Sequence, residues 1–251
     1  MRFFLVLGWM VLAGVVAGQE PRKEVFTPAS DVAGSWDFTP DPALPNVLIL
    51  GDSISIGYTR DVRAELAGKA NVFRPMNRKN QNSPENCGDT EMGLEGLESW
   101  LGERKWSVIH CNWGLWDICY RVAGKPKAGN RDKVNGKIAL SPEAYGANLD
   151  KIVTRLQATG ATVIWASTTR VPEGETGRVA GDEVRYNAAA AALMEKKKIA
   201  INDLHALTTL WAGKFSKGAD DVHFTATGSA LLGKQVAAVI QTHLAGAPAK
   251  R

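Results

Sequence analysis

Ser53 follows the run Val47-Leu48-Ile49-Leu50-Gly51-Asp52, and far along the chain Asp220-Asp221-Val222-His223 precedes an apolar stretch from Ala230 to Ile240. A serine hydroxyl is a weak nucleophile at its own pKa. An imidazole can take its proton near neutral pH, and a carboxylate on the second ring nitrogen fixes the tautomer and steadies the imidazolium that forms. The chain therefore holds the parts for acyl transfer through a serine ester, provided that its two ends meet. Each part also has a plainer reading: Asp52 or Ser53 can serve only as a helix cap, and so can His223.

Taken together, the two stretches resemble the SGNH hydrolases, the GDSL esterase and lipase superfamily. That family opens with Gly-Asp-Ser on a first strand and closes with Asp-x-x-His, matched here by Gly51-Asp52-Ser53 and Asp220-Asp221-Val222-His223. The resemblance covers most of the chain after Asn46. It implies a nucleophile at Ser53, a base at His223 and, from the family spacing, an acid at Asp220, with Asp221 the rival. It implies an oxyanion hole from the backbone N–H groups of Ser53 and Gly88, although Gly88 reads almost as well as a turn glycine. The third block departs from the family: Gly114-Leu115-Trp116-Asp117 has tryptophan where asparagine is usual. Asn112 is the amide expected to take over as donor, with the Trp116 indole N–H as competitor. Trp113 and Trp116 are candidate substrate-binding platforms, and core packing is the alternative for each.

These residues need a scaffold, and the apolar pattern supplies one. Val47 to Leu50 suits a buried strand, Gly51 frees a sharp turn, and 56–70 has helical spacing in Tyr58, Val62 and Leu66. Further strands are expected at 71–74, 106–111, 162–166 and 199–201. Helices are expected around Leu94, Leu97 and Leu101, from Ser141-Pro142-Glu143 to Gly160, over 182–197 and over 230–240. Strands alternating with helices imply right-handed crossovers and a three-layer α/β/α sandwich, with a mainly parallel, flavodoxin-like, five-stranded sheet. Such sheets bind ligands beyond the carboxyl ends of their strands, which is where each proposed block falls. A basic loop from Tyr120 to Ile138 has the length of functional or disordered loops and is expected to leave the sheet edge beside the site.

With 251 residues, 45% hydrophobic and 22% charged, the chain can bury one sizeable core. A formal charge of +4 without basic runs interleaved with aromatics gives nucleic-acid binding little support. Arg2, the apolar stretch from Phe3 to Val16 and the small Ala17-Gly18 read as a signal peptide over 1–18. It is followed by an N-terminal arm over 19–45 and a hydrolase-like domain over 46–246. The expectation is a secreted or periplasmic monomer with no stable membrane insertion once the signal is removed. Three cysteines permit one disulfide, and Cys87 with Cys119 is the candidate pair. Neither the cysteines nor the histidines show metal-ligand spacing, so no metal or cofactor is expected.

The resemblance points to a serine esterase that removes a short acyl group, such as acetyl, from a carbohydrate or another small ester. Two alternatives remain: an O-acyltransferase on the same triad, and a non-catalytic glycan-binding protein on an esterase scaffold. An aspartate-based phosphatase centred on Asp52 fits poorly, because the second aspartate it needs two residues on is Ile54.

Overall fold

The computed structural model describes residues 38–77 and 83–245 together with Trp36. The expected signal segment over 1–18 and most of the arm lie outside the described residues. The end of the arm is tied down: the Asp41 N–H donates to Asn71 Oδ1 at 2.8 Å, and the Asn71 amide returns a bond to the Asp41 carbonyl at 2.8 Å.

The element order is β1 (Asn46–Leu50), α1 (Ser53–Glu65), β2 (Asn71–Phe73), α2 (Thr90–Leu101), β3 (Val108–Cys111), β4 (Tyr120–Arg121) and β5 (Lys137–Ile138). It continues with α3 (Pro142–Gln157), β6 (Thr162–Ala166), α4 (Asp182–Lys197), β7 (Ala200–Asn202), α5 (Leu204–Leu210) and α6 (Ala226–Ala245). Five strands form one parallel sheet in the order β2-β1-β3-β6-β7. This is the flavodoxin-like order, and it reverses between β1 and β3, where such sheets open a crevice. Helix α1 packs on α6, and α2, α3 and α4 pack in series. With both faces covered, the central strands are buried on both sides: Val47 to Leu50 and Val108 to Cys111 are all buried, and His110 is the one polar side chain among them.

The sheet, its parallel sense and its helical cover are those that the alternation implies. Three local features differ from the periodic pattern. Helix α1 starts at Ser53, because the Asp52 carboxylate accepts the Ile54 N–H at 2.9 Å and caps the helix there. The basic loop contains an antiparallel pair, with Tyr120 opposite Ile138 and Arg121 opposite Lys137. Helix α5 was not anticipated; it is too short for apolar periodicity to register, but Asp203 caps it by accepting the Ala206 N–H.

The Cys87 to Cys119 disulfide is a correction. All three cysteines are free thiols. Cys87 and Cys111 lie in the main hydrophobic core, whereas Cys119 is buried apart from that cluster, at the entry to the hairpin. Proximity in the blocks did not bring their sulfur atoms together.

Candidate active site

The turn after β1 is built for a close approach. Gly51 has φ +154, and a Cβ there would sit 3.0 Å from Ser55 Oγ and 3.2 Å from the Asn112 carbonyl. Asp52 caps the helix with one oxygen, which leaves Ser53 as the first helical residue, its side chain free to point outward. The other Asp52 oxygen is buried with no hydrogen-bond partner. Burial raises the Asp52 carboxyl above its usual range, against the Ile54 N–H and the charges of Arg178, His223 and Arg74.

Beneath this turn lies a residue that the sequence reading did not single out. Arg74 is buried and donates to the carbonyls of Gly51 (3.4 Å) and Glu85 (2.8 Å) and to the hydroxyls of Ser55 (3.3 Å) and Thr59 (3.0 Å). One guanidinium thus ties the nucleophile turn to the segment ahead of Gly88. Only the structure reveals this role, because Arg74 has no local pattern.

Residues near the two ends of the chain meet. Ser53 Oγ lies 2.8 Å from His223 Nε2, across 170 positions of sequence. His223 Nδ1 lies 2.5 Å from Asp221 Oδ1, and the same oxygen accepts the His223 backbone N–H at 2.9 Å. An ionised carboxylate can only accept, so Nδ1 carries the proton and Nε2 is the lone pair facing the serine. Partial burial works to raise the Asp221 carboxyl, but the hydrogen bonds and charge of His223 outweigh it and hold it below the usual range. The other histidines are engaged elsewhere: His110 with Asn202, His205 with Glu183 and His243 with the Val239 carbonyl.

This geometry corrects the expected acid. Asp220 is exposed, and the carboxylate facing the imidazole is that of Asp221. The reason is local. Asp221 closes an Asx turn onto the N–H two residues on, which brings its oxygen within reach of the ring of that same residue.

The expected oxyanion donors fare differently. The Ser53 N–H, first in α1, is among the helix-start donors that have no intrahelical acceptor. Gly88 has φ +61 and its N–H donates to Asn86 Oδ1 at 3.0 Å, in a second Asx turn. Asn86 itself lines the cleft with Ser53 and His223. Since Oδ1 must face the Gly88 donor, the Asn86 Nδ2 group is the donor it has left to offer. Asn112 is a further correction: its amide nitrogen donates to the Ala166 carbonyl at 2.7 Å, and it lines a separate cavity with Ser55, Tyr58 and Ser167. At the end of a central strand that amide is claimed by the neighbouring strand.

The tryptophans divide. Trp113 is fully buried, donating from Nε1 to the Cys87 carbonyl at 3.2 Å, and so is a core residue rather than a platform. Trp116 lines the cleft, with the Arg121 guanidinium 4.8 Å above its ring. Behind it, Asp117 is buried and accepts from the N–H (2.9 Å) and hydroxyl (2.7 Å) of Thr90 at the start of α2. The cleft has a volume of about 370 Å³ and is also lined by Leu115, Lys127, Gly129, Arg131, Arg178 and Val222. A larger groove of about 600 Å³, between 75–77 and α2, contains no histidine among its lining residues.

A doubly covered parallel sheet with serine, histidine and aspartate in contact beyond the end of its first strand defines a serine hydrolase site of the α/β type. The chain belongs to the GDSL-like lipase/acylhydrolase family, whose model matches residues 49–231, and it is therefore an ester hydrolase by family. No curated protein sequence matches it. Solved structures share its fold at low identity. The lipase/acylhydrolase from Enterococcus faecalis is 17% identical, with TM-score 0.62 over 82% of this chain and 100% of its own. The acetyl xylan esterase AlAXEase is 13% identical, with TM-score 0.60 over 78% and 99%. The acetylxylan esterase Axe2 from Geobacillus stearothermophilus is 14% identical, with TM-score 0.59 over 80% and 94%.

Proposed function

We propose that this protein is an exported serine esterase that removes a small acyl group, acetyl above all, through an acyl-enzyme on Ser53. The observation that carries the reading is the continuous contact from Ser53 Oγ to His223 Nε2 and from His223 Nδ1 to Asp221 Oδ1. His223 takes the proton as Ser53 Oγ bonds to the ester carbonyl carbon. The oxyanion that forms is met by the Ser53 N–H and the Asn86 amide. His223 then gives the proton to the departing alkoxide as the ester C–O bond breaks. Water, activated by the same nitrogen, releases the acid and restores the serine.

Acyl length follows from the lining. A long chain needs apolar surface along its length, worth about 0.8 kcal/mol per buried CH₂. The apolar side chains of this cleft are Leu115, Trp116 and Val222, and the rest of its lining is mainly polar or charged. A short acyl group fits that composition. Carbohydrate esters are a substrate class of the acetyl xylan esterases that share this fold, which makes acetylated polysaccharides the first panel to assay. Export rests on the signal-like 1–18, and mass spectrometry of the mature N-terminus tests it.

The catalytic test is labelling with a fluorophosphonate probe and hydrolysis of p-nitrophenyl acetate. The modified residue is expected to be Ser53, and Ser53→Ala is expected to abolish both signals. Equal turnover by Ser53→Ala would remove the serine from the mechanism.

A further inference from the structure

We propose that the ester taken by this cleft carries an oxyanionic group, a carboxylate or a sulfate, held by Arg121 and Arg131. This rests on the esterase reading above and adds the class of substrate.

Four cations line the cleft: Arg121, Lys127, Arg131 and Arg178. Their partners differ. Lys127 is matched, with Asp89 at 2.6 Å and Glu91 at 3.1 Å. Arg131 and Arg178 share one carboxylate oxygen, Oε1 of the buried Glu175, at 3.3 and 3.1 Å. Arg178 is further held by the Leu115 carbonyl at 2.6 Å. Arg121 pairs with no carboxylate among the described residues. Its Nη1 donates to the carbonyls of Lys127 and Asn130, and its buried Nε has no hydrogen-bond partner within the protein. Of the three guanidiniums at the cleft, two share the one carboxylate of Glu175 and the third has none, and the two aspartates of the lining are committed, Asp52 to the α1 cap and Asp221 to His223.

The cations are built in rather than scattered on a mobile surface. The Tyr120 N–H donates to the Gly177 carbonyl at 2.7 Å and the Lys133 N–H to the Thr176 carbonyl at 2.9 Å, so the hairpin loop is stitched to the segment that carries Glu175 and Arg178. A Cβ at Gly177 would fall 2.5 Å from Arg131 Cβ, which shows how closely the two backbones pass. The Arg121 Cζ lies 4.8 Å from the centroid of the Trp116 ring, a contact that helps to hold the guanidinium at the cleft. A planar guanidinium that lines the cleft without a carboxylate partner, held beside a second arginine, is suited to the paired oxygens of a carboxylate or sulfate. A neutral ester would leave that charge unanswered.

The test compares kcat/KM for acetyl esters of 3-hydroxybenzoate, 3-hydroxybenzenesulfonate and 3-hydroxybenzamide, each divided by its spontaneous hydrolysis rate. The sulfonate stands in for a sulfate. The natural sequence is expected to favour one or both anionic esters over the amide by about tenfold or more at low salt, with the advantage shrinking in 0.5 M NaCl. Which anionic ester leads identifies the oxyanion. The ratio is expected to fall in Arg121→Gln and Arg131→Gln and to be partly retained in Arg121→Lys, with thermal melts showing that each variant folds. Equal turnover of all three esters, with Ser53 still labelled by the fluorophosphonate, would overturn the anionic substrate and leave the esterase reading standing. Failure of both labelling and turnover would overturn the two together.

Discussion

A single oxygen of Asp221 accepts from His223 twice, from the backbone N–H at 2.9 Å and from ring Nδ1 at 2.5 Å. The carboxylate therefore fixes the residue as well as its tautomer. Asp221→Asn presents an amide N–H that donates to Nδ1 and so favours the tautomer with Nε2 protonated, which cannot take the serine proton, and is expected to lower kcat about 10²-fold or more. Asp220→Asn changes an exposed side chain and is expected to stay within about twofold, the scale of a surface substitution. Steady-state kinetics on p-nitrophenyl acetate separates the two, and the reverse order would return the role to Asp220.

Asn86 is the amide placed at the cleft, and its orientation is set by Gly88. Asn86→Ala removes the side-chain donor and is expected to lower kcat by about 10² to 10³, with little change in KM, since the bond forms only to the developing oxyanion. Asn112→Ala is expected to act on melting temperature, because its amide serves the Ala166 carbonyl. Loss of kcat in Asn112→Ala with full activity in Asn86→Ala would reverse these roles.

Asp117 links stability to pH. Burial pushes its carboxyl up to about 7, against the Thr90 bonds that lower it, and Oδ2 has no hydrogen-bond partner. The folded chain therefore keeps a proton that the unfolded chain has already released. Between about pH 4 and 7 this contribution to stability falls as pH rises, and above 7 it levels off. Asp117→Asn keeps an acceptor for Thr90 and cannot ionise. Chemical denaturation across that window is expected to show a decline on the order of 2 to 4 kcal/mol larger in the natural sequence than in the variant, which keeps only the contribution of groups such as the raised Asp52 carboxyl. Parallel profiles for the two proteins would place the titration elsewhere.

Three buried free thiols make the fold indifferent to reductant. Burial pushes Cys87 up to about 12 and raises Cys111 and Cys119, so the reactive thiolate is suppressed at each. Ellman's reagent is expected to find no fast thiol in the native protein and all three after unfolding, with dithiothreitol leaving the melting temperature unchanged. A single thiol after unfolding would instead report a disulfide.

What the sequence by itself determined was whatever a short stretch of backbone settles. The apolar run at Val47 to Leu50, the glycine behind it and the alternation of strand and helix fixed a parallel sheet, because strand and helix periods are local properties of the chain. The pairing of Ser53 with His223 was legible only through the family blocks, since 170 positions separate them. The tertiary structure decided every choice between near neighbours. Asp221 faces the imidazole, Asn86 the cleft, and Trp113 the core, because a turn or a neighbouring strand aims each side chain in a direction that spacing does not encode. The gathering of Arg121, Arg131 and Arg178 at one cleft is likewise a product of folding: like charges from separate segments converge there because backbone bonds between the segments hold them together.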